Sequence, residues 1–263
     1  MVSEKTIEVG GKTFRRRSIH EDTTNNVKPA WYMGEANKRI GIAISTFGAQ
    51  HTAFVRSLLG VIRDALFRGY VLDIVIEETK PLDVSRCVAV KELMENDPDY
   101  ILFLDSDMVF PRSLIHVLAE DKKDLVSGIY ATKEQTPKPV LKLLNKENGH
   151  YETIWSYPRG ETFEVDAVGC GCLLVKTEVF KKLEEPYFLW DTQRSVSEDI
   201  YFCRKAKEAG CQIWCDSRLE CGHISDVAFV SMDDFWQKRM EYEKNPESCP
   251  DVMMSQVRKI EKQ

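Results

Sequence analysis

YILFLDSDMVFP, residues 100–111, sets the architecture. Tyr100 to Leu104 form an apolar run that ends abruptly at Asp105-Ser106-Asp107. A short apolar run bounded by polar residues is the pattern of a strand buried on both faces, as in a parallel sheet. Open α/β sheets bind ligands at the carboxyl ends of such strands, which is where these two acids fall. Two carboxylates so close in sequence repel unless a cation or a proton lies between them. Oxygen donors of this kind suit a hard ion such as Mg2+ or Mn2+. A polar turn after a strand has the same letters, so the pair alone does not decide function.

Outward from this strand the pattern alternates. RIGIAISTFG (39–48) predicts a strand and a turn, and HTAFVRSLLGVIRDALFRG (51–69) predicts a helix stopped at Gly69. YVLDIVIEE (70–78) is a second strand, SRCVAVKELMEND (85–97) a second helix opened by Arg86, and PRSLIHVLAED (111–121) a third helix with Pro111 in its first turn. DLVSGIYA (124–131) is another strand. Such alternation predicts an α/β fold with a mostly parallel sheet and helices on both faces. After Thr132, PKPVLKLLN, HYETIWSY and ETFEVDAV read as a smaller antiparallel part. GCGCLLVKTEVFKKL (169–183) leads from strand to helix, EPYFLWDTQRSVS (185–197) is a loop, EDIYFCRKAKEAG (198–210) is an amphipathic helix, and CQIWCD (211–216) is a short strand. The organisation expected is an N-terminal extension with a hairpin at Gly10-Gly11 (1–38), a main domain (39–232) and a helical tail (233–263).

Bulk properties narrow the function. The 263 residues are 43% hydrophobic and 30% charged, enough apolar material for one large core. Net charge is −6 and pI about 5.5, so bulk attraction to nucleic acid or to an anionic membrane is not indicated. No apolar run reaches the roughly 20 residues of a membrane span, and the N-terminus lacks an apolar signal core, so a cytoplasmic protein is expected. Eight cysteines then need an account other than disulfides. Cys87, Cys170, Cys172 and Cys203 read as buried small apolar residues, while Cys211, Cys215, Cys221 and His223 form a loose zinc-like set.

Four segments, in order, resemble the GT-A fold glycosyltransferases that use nucleotide sugars, in particular the family 2-like enzymes with an Asp-x-Asp motif. IAISTFG resembles their opening nucleotide-binding strand, and LFLDSDMVFP their metal-binding strand. VGCGCLLVKTEVFKKL resembles the segment lining the sugar and acceptor site. SEDIYFCRKAKEAGCQIWCDSRLECGHI resembles the stretch with an acid pair, a helix, a strand and a late metal-binding histidine. The resemblance spans about residues 39–226 and implies a Mn2+ or Mg2+ cofactor, a nucleoside-diphosphate sugar donor such as a UDP- or GDP-sugar, and a hydroxyl acceptor. It implies Asp107 as direct metal ligand, Asp105 as a ligand of the ribose or, through water, of the metal, and His223 as a third protein ligand. Asp199 is implied as the general base of an inverting reaction, with Glu198 orienting the acceptor or a loop; a retaining enzyme would use the pair for binding. Ser45, Thr46, Glu77 and Ser106 are placed with the nucleotide, although the family often has two aspartates where Glu77-Glu78 stand. Arg86 could pair with Asp105 or a phosphate. Gly169 and Gly171 allow a sugar ring close to the backbone, or else mark a bulge. Trp190, and with it Trp155 or Tyr157, could stack on an acceptor sugar or simply anchor a loop.

Simpler accounts exist for each site residue. Acids at a helix start are favoured by the macrodipole alone, and a histidine after Gly222 is an ordinary turn residue. FLDSDMV also fits the opening motif of haloacid-dehalogenase-type phosphatases, with Asp105 as nucleophile. That motif belongs on a first strand, however, and no later Gly-Asp-x-x-x-Asp completes it. A nucleotidyltransferase would want a Gly-rich basic loop where STFGAQHTAF stands. A sugar-nucleotide-binding module without transfer activity would be expected to have lost a metal ligand. FWQKRM (235–240) does not match the Gln-x-x-Arg-Trp order of processive synthases, so single-sugar addition is expected.

Overall fold

The computed structural model describes residues 2–9, 12–19, 38–78, 80–192, 196–225 and 229–245. Strands β1 (Val2–Val9) and β2 (Lys12–Ile19) pair antiparallel in a sheet of their own. The Gly10-Gly11 turn, the polar stretch 20–37 and the tail beyond 245 lie outside the described residues. Then β3 (Arg39–Thr46), α1 (Thr52–Phe67), β4 (Val71–Glu78), α2 (Leu82–Leu93), β5 (Tyr100–Asp105), β6 (Met108–Val109), α3 (Leu114–Glu120) and β7 (Leu125–Ile129) follow. After them come β8 (Leu141–Leu144), β9 (Tyr151–Thr153), β10 (Thr162–Val165), β11 (Ala167–Val168) and β12 (Cys172–Lys176). The last elements are α4 (Thr177–Lys181), α5 (Glu198–Glu208), β13 (Ile213–Glu220), β14 (Gly222–Ile224), β15 (Phe229–Val230) and α6 (Met232–Lys244).

Among the described residues the main sheet has seven strands in the order β10-β13-β7-β12-β5-β3-β4. The β3–β4, β3–β5 and β7–β13 ladders are parallel, whereas β12 runs antiparallel between β5 and β7, and β10 runs antiparallel along the edge. A smaller antiparallel sheet joins β11, β8 and β9, and a third joins β15, β14 and β6. The expected α/β architecture, a mostly parallel sheet with helices on both faces and a smaller antiparallel part, is the one observed.

Alternation along each strand feeds two cores. Ile40, Ile42 and Ile44 of β3 and Tyr100, Leu102 and Leu104 of β5 pack under α1 and α3, against Phe54, Val61, Leu114 and Leu118. Ala43, Ile101, Phe103, Leu173 and Val175 face the other way and meet α2, α4, α5 and α6. Tyr100 to Leu104 are all at most 3% exposed, as expected of a strand covered on both faces. Each large apolar side chain so buried contributes about 1.5–3 kcal/mol relative to exposure.

Several boundaries differ from the sequence reading. α2 starts at Leu82, after Pro81 and with Asp83 in its first turn, so Arg86 lies inside it rather than at its opening. Ser85 also lies inside the helix, and its hydroxyl donates to the Ser45 hydroxyl at 2.8 Å. Pro111 precedes α3 and accepts from the Leu114 amide through its carbonyl. β13 continues past Asp216 to Glu220 through an irregular register. Tyr157 is buried in an aromatic cluster with Phe163, Phe235 and Trp236 of α6, and Trp155 is buried with its carbonyl accepting from Arg239 of α6, so neither ring is open to a sugar. No helix among the described residues is long and apolar enough to cross a membrane.

Candidate functional site

Parallel register brings the predicted nucleotide side together. Ser45, at the end of β3, is flanked by Glu77 on β4 and by Asp105 on β5. All three strands therefore end level, at the carboxyl edge of the sheet. Ser45 and Thr46 are buried, and Glu77 is buried beside Lys80, which pairs with it. Thr46 hydrogen-bonds into the next turn, where the Gly48 amide donates to its hydroxyl at 3.3 Å and Gln50 also reaches it. Ser106 follows Asp105 in the turn that leads to β6.

His223 reaches the same edge by a separate device. β14 pairs antiparallel with β6, setting His223 opposite Met108, and the Ile224 amide donates to the Asp107 carbonyl at 2.7 Å. The ring nitrogen Nδ1 lies 2.8 Å from the Ala131 carbonyl. A carbonyl only accepts, so Nδ1 carries the proton and Nε2 is the nitrogen turned to Asp107 Oδ2, 3.5 Å away. This backbone anchor of one ring nitrogen is the arrangement that orients a histidine metal ligand. Lys133 also pairs with Asp107. Burial alone would raise the Asp107 pKa, but hydrogen bonds and positive charge from His223 and Lys133 outweigh it and bring it down to about 2.

Asp105 is held differently. Its Oδ1 accepts from Arg86 at 2.9 Å, and the other arm of the same guanidinium pairs with Glu198 Oε1. Arg86 and Glu198 are 3% and 5% exposed in their side chains, so this is a buried junction between α2, β5 and α5. Burial pushes the Glu198 carboxyl up, against the pull of Arg86. Glu198 Oε2 is buried without a hydrogen-bond partner. Its place at the start of α5 is thus no solvated helix-dipole position. Asp199, the next residue, is half-buried and accepts from Ser197 and from the Ile200 amide.

The glycine pair has a packing role. The Gly171 amide donates to the Tyr130 hydroxyl at 3.0 Å. A Cβ on Gly169 would lie 2.2 Å from that hydroxyl and 2.7 Å from Val140 Cγ1, and one on Gly171 would lie 2.9 Å from the same hydroxyl and 3.3 Å from Asp105 Oδ2. Burial raises the Tyr130 phenol well above its ordinary pKa, and the charges of Asp105 and Asp199 add to the shift. Trp190 is 54% exposed, on a loop tied to α2 by its own amide donating to Asp83 at 3.2 Å and by Phe188 buried beside Cys87.

The arrangement fits a divalent cation only in part. Asp107 and His223 converge, whereas Asp105 is turned to Arg86. Among the described residues no group of three His, Cys, Asp or Glu side chains is placed to hold a metal ion. Two protein donors suit an ion that takes its remaining ligands from substrate phosphates and water. The zinc-like set is not assembled either: Cys211, Cys215 and Cys221 are buried free thiols, and His223 serves Asp107.

Comparison with known proteins gives little beyond architecture. No family model and no curated protein matches the chain. The crystal structure of A197 from STIV is 21% identical, covers 75% of this chain and 92% of its own, and superposes with a TM-score of 0.53. The two share a fold. The crystal structure of GalNAc-T7 with UDP, GalNAc and Mn2+ is 11% identical over 84% of this chain and 53% of its own, at a TM-score of 0.46, too low to carry an argument.

Sequence reading missed the segment that ties the site together. Tyr130, Ala131 and Lys133 reach, in turn, the Gly169–Gly171 segment, His223 and Asp107. Ser85 and Lys80 support Ser45 and Glu77 in the same way. The available signal was only that a strand, DLVSGIYA, ends in polar residues at the same sheet edge.

Proposed function

We propose that this chain is a metal-dependent glycosyltransferase that moves a sugar from a nucleoside-diphosphate sugar to a hydroxyl acceptor. The carrying observation is the convergence of Asp107 and His223 at the end of β5, beside a buried Arg86 that also fixes the start of α5. In this reading Asp107 and His223 hold Mn2+ or Mg2+, which when bound offsets negative charge on the departing diphosphate. Ser45, Thr46, Glu77 and Ser106 form the nucleotide side. Arg86 keeps Asp105 and Glu198 in place, with Asp105 available to the ribose. Asp199 takes the proton of the acceptor hydroxyl as its oxygen bonds to the anomeric carbon and the bond to the diphosphate breaks. The exposed Trp190 offers a face for an acceptor sugar. The phosphatase alternative needs a free Asp105 nucleophile, whereas Asp105 is tied to Arg86.

The test is thermal unfolding with UDP or GDP, with and without Mn2+. A ligand at about 100 times its Kd adds about 2.7 kcal/mol to stability, which is several degrees in Tm for a chain of this size. One nucleotide should stabilise the protein only with metal, and Asp107→Asn should abolish the shift. Asp199→Asn should retain the shift while transfer falls by about two to four orders of magnitude. No shift with any nucleotide, or a shift indifferent to Mn2+, would refute the reading.

A further inference from the structure

Helix α1 buries Phe54, Val61 and Ala65 against the sheet and turns another face outward. Thr52, Val55, Arg56, Leu59, Arg63 and Leu66 recur at spacings of three and four, so they lie on one side of a helix of about 3.6 residues per turn. Val55, Leu59 and Leu66 are 38%, 60% and 42% exposed. Beside this face runs a groove of about 710 Å³, lined by Val55, Arg56, Leu59, Arg63, Phe110 and Arg112 among others. The stem of Arg112 lies over Gly60, where an added Cβ would meet its Cγ at 3.3 Å. No acid among the described residues pairs with Arg56, Arg63 or Arg112, and the single acid of the helix, Asp64, is engaged by Arg68. Phe47, in the turn that enters α1, is 67% exposed.

A chain of net charge −6 thus gathers Arg56 and Arg63 of α1, Arg112 beside them, none paired with an acid among the described residues, and a row of exposed aliphatic side chains on the helix face. We infer that this face docks on a bilayer surface containing anionic phospholipid. The aliphatic residues would enter the boundary between headgroups and acyl chains, and the guanidiniums would meet the phosphates. A second copy of the chain fits poorly, because a two-fold contact through this face would set arginine against arginine. Nucleic acid would use the arginines but would leave Val55, Leu59 and Leu66 in water. The inference does not rest on the transferase reading, since docking needs neither nucleotide nor metal.

Flotation of the full chain with phosphatidylcholine vesicles, with and without about one third phosphatidylglycerol, tests it. The protein should float with the anionic vesicles, stay behind with the neutral ones, and be released by salt. Arg56→Glu with Arg63→Glu, and separately Leu59→Ser, should each lower partitioning by about tenfold or more. All three positions are exposed, and unchanged far-ultraviolet circular dichroism would show that the variants fold. No flotation, equal flotation with both vesicles, or unaltered flotation of the folded variants would overturn the proposal. So would a dimer in light scattering that Leu59→Ser dissociates, since the face would then belong to a second copy.

Discussion

At the scale of single residues, Lys133 has the sharpest role. Its ammonium is the counter-ion of the one carboxylate that also faces His223. A divalent ion entering between Asp107 and His223 must displace that ammonium. Lys133→Met should therefore raise the affinity for Mn2+ alone, by on the order of tenfold, in titration calorimetry without nucleotide. Unchanged affinity would mean that Lys133 and the ion do not compete. Asp107 was legible in the sequence because two acids after a buried strand need an explanation, and Lys133 was not. A lysine in a polar connection looks like any solvated lysine until the fold brings it to a carboxylate 26 positions away. Gly169 and Gly171 were legible as special positions, yet what crowds them, the Tyr130 hydroxyl, comes from another strand.

At the scale of elements, the junction of α2, β5 and α5 rests on one guanidinium. Arg86 sits between Asp105 and Glu198 with almost no solvent access. Removing one partner of a buried ionic group strands the others, at a cost of about 3–5 kcal/mol. Arg86→Met should lower stability by that order in denaturant unfolding, and adding Glu198→Gln should recover part of the loss. A double variant no better than the single one would show that Glu198 is not what Arg86 neutralises. The helices and strands themselves were largely readable, because apolar spacing follows whichever face is buried. α2 begins earlier than expected, at Leu82, so Ser85 lies inside it and turns its hydroxyl to Ser45 on the neighbouring strand. The direction of β12 was unreadable for a related reason: a strand buried on both faces has the same composition whether it runs parallel or antiparallel.

At the scale of the whole molecule, acid should expose the carboxylates that the fold favours in their ionised form. Asp107 is brought down to about 2, and Asp124 and Asp234 are lowered, Asp124 against its burial by Lys176 and Asp234 by Ser231. A folded-state pKa below the unfolded value gives stability that is present above about pH 4 and is lost as pH falls through the folded pKa. The Tm of the metal-free protein should therefore drop between about pH 4 and pH 2. The gap between wild type and Asp107→Asn should close over the same range, since Asp107 is neutral in both at the acid end. A constant gap would mean that Asp107 is not held as an anion by its partners. The sheet order has a further consequence, for synthesis. Both neighbours of β7, namely β12 and β13, lie downstream of it in the chain. A nascent polypeptide emerging from the ribosome can thus join β4, β3 and β5 early, but β7 must wait unpaired until residues 172–176 arrive to bridge it to β5.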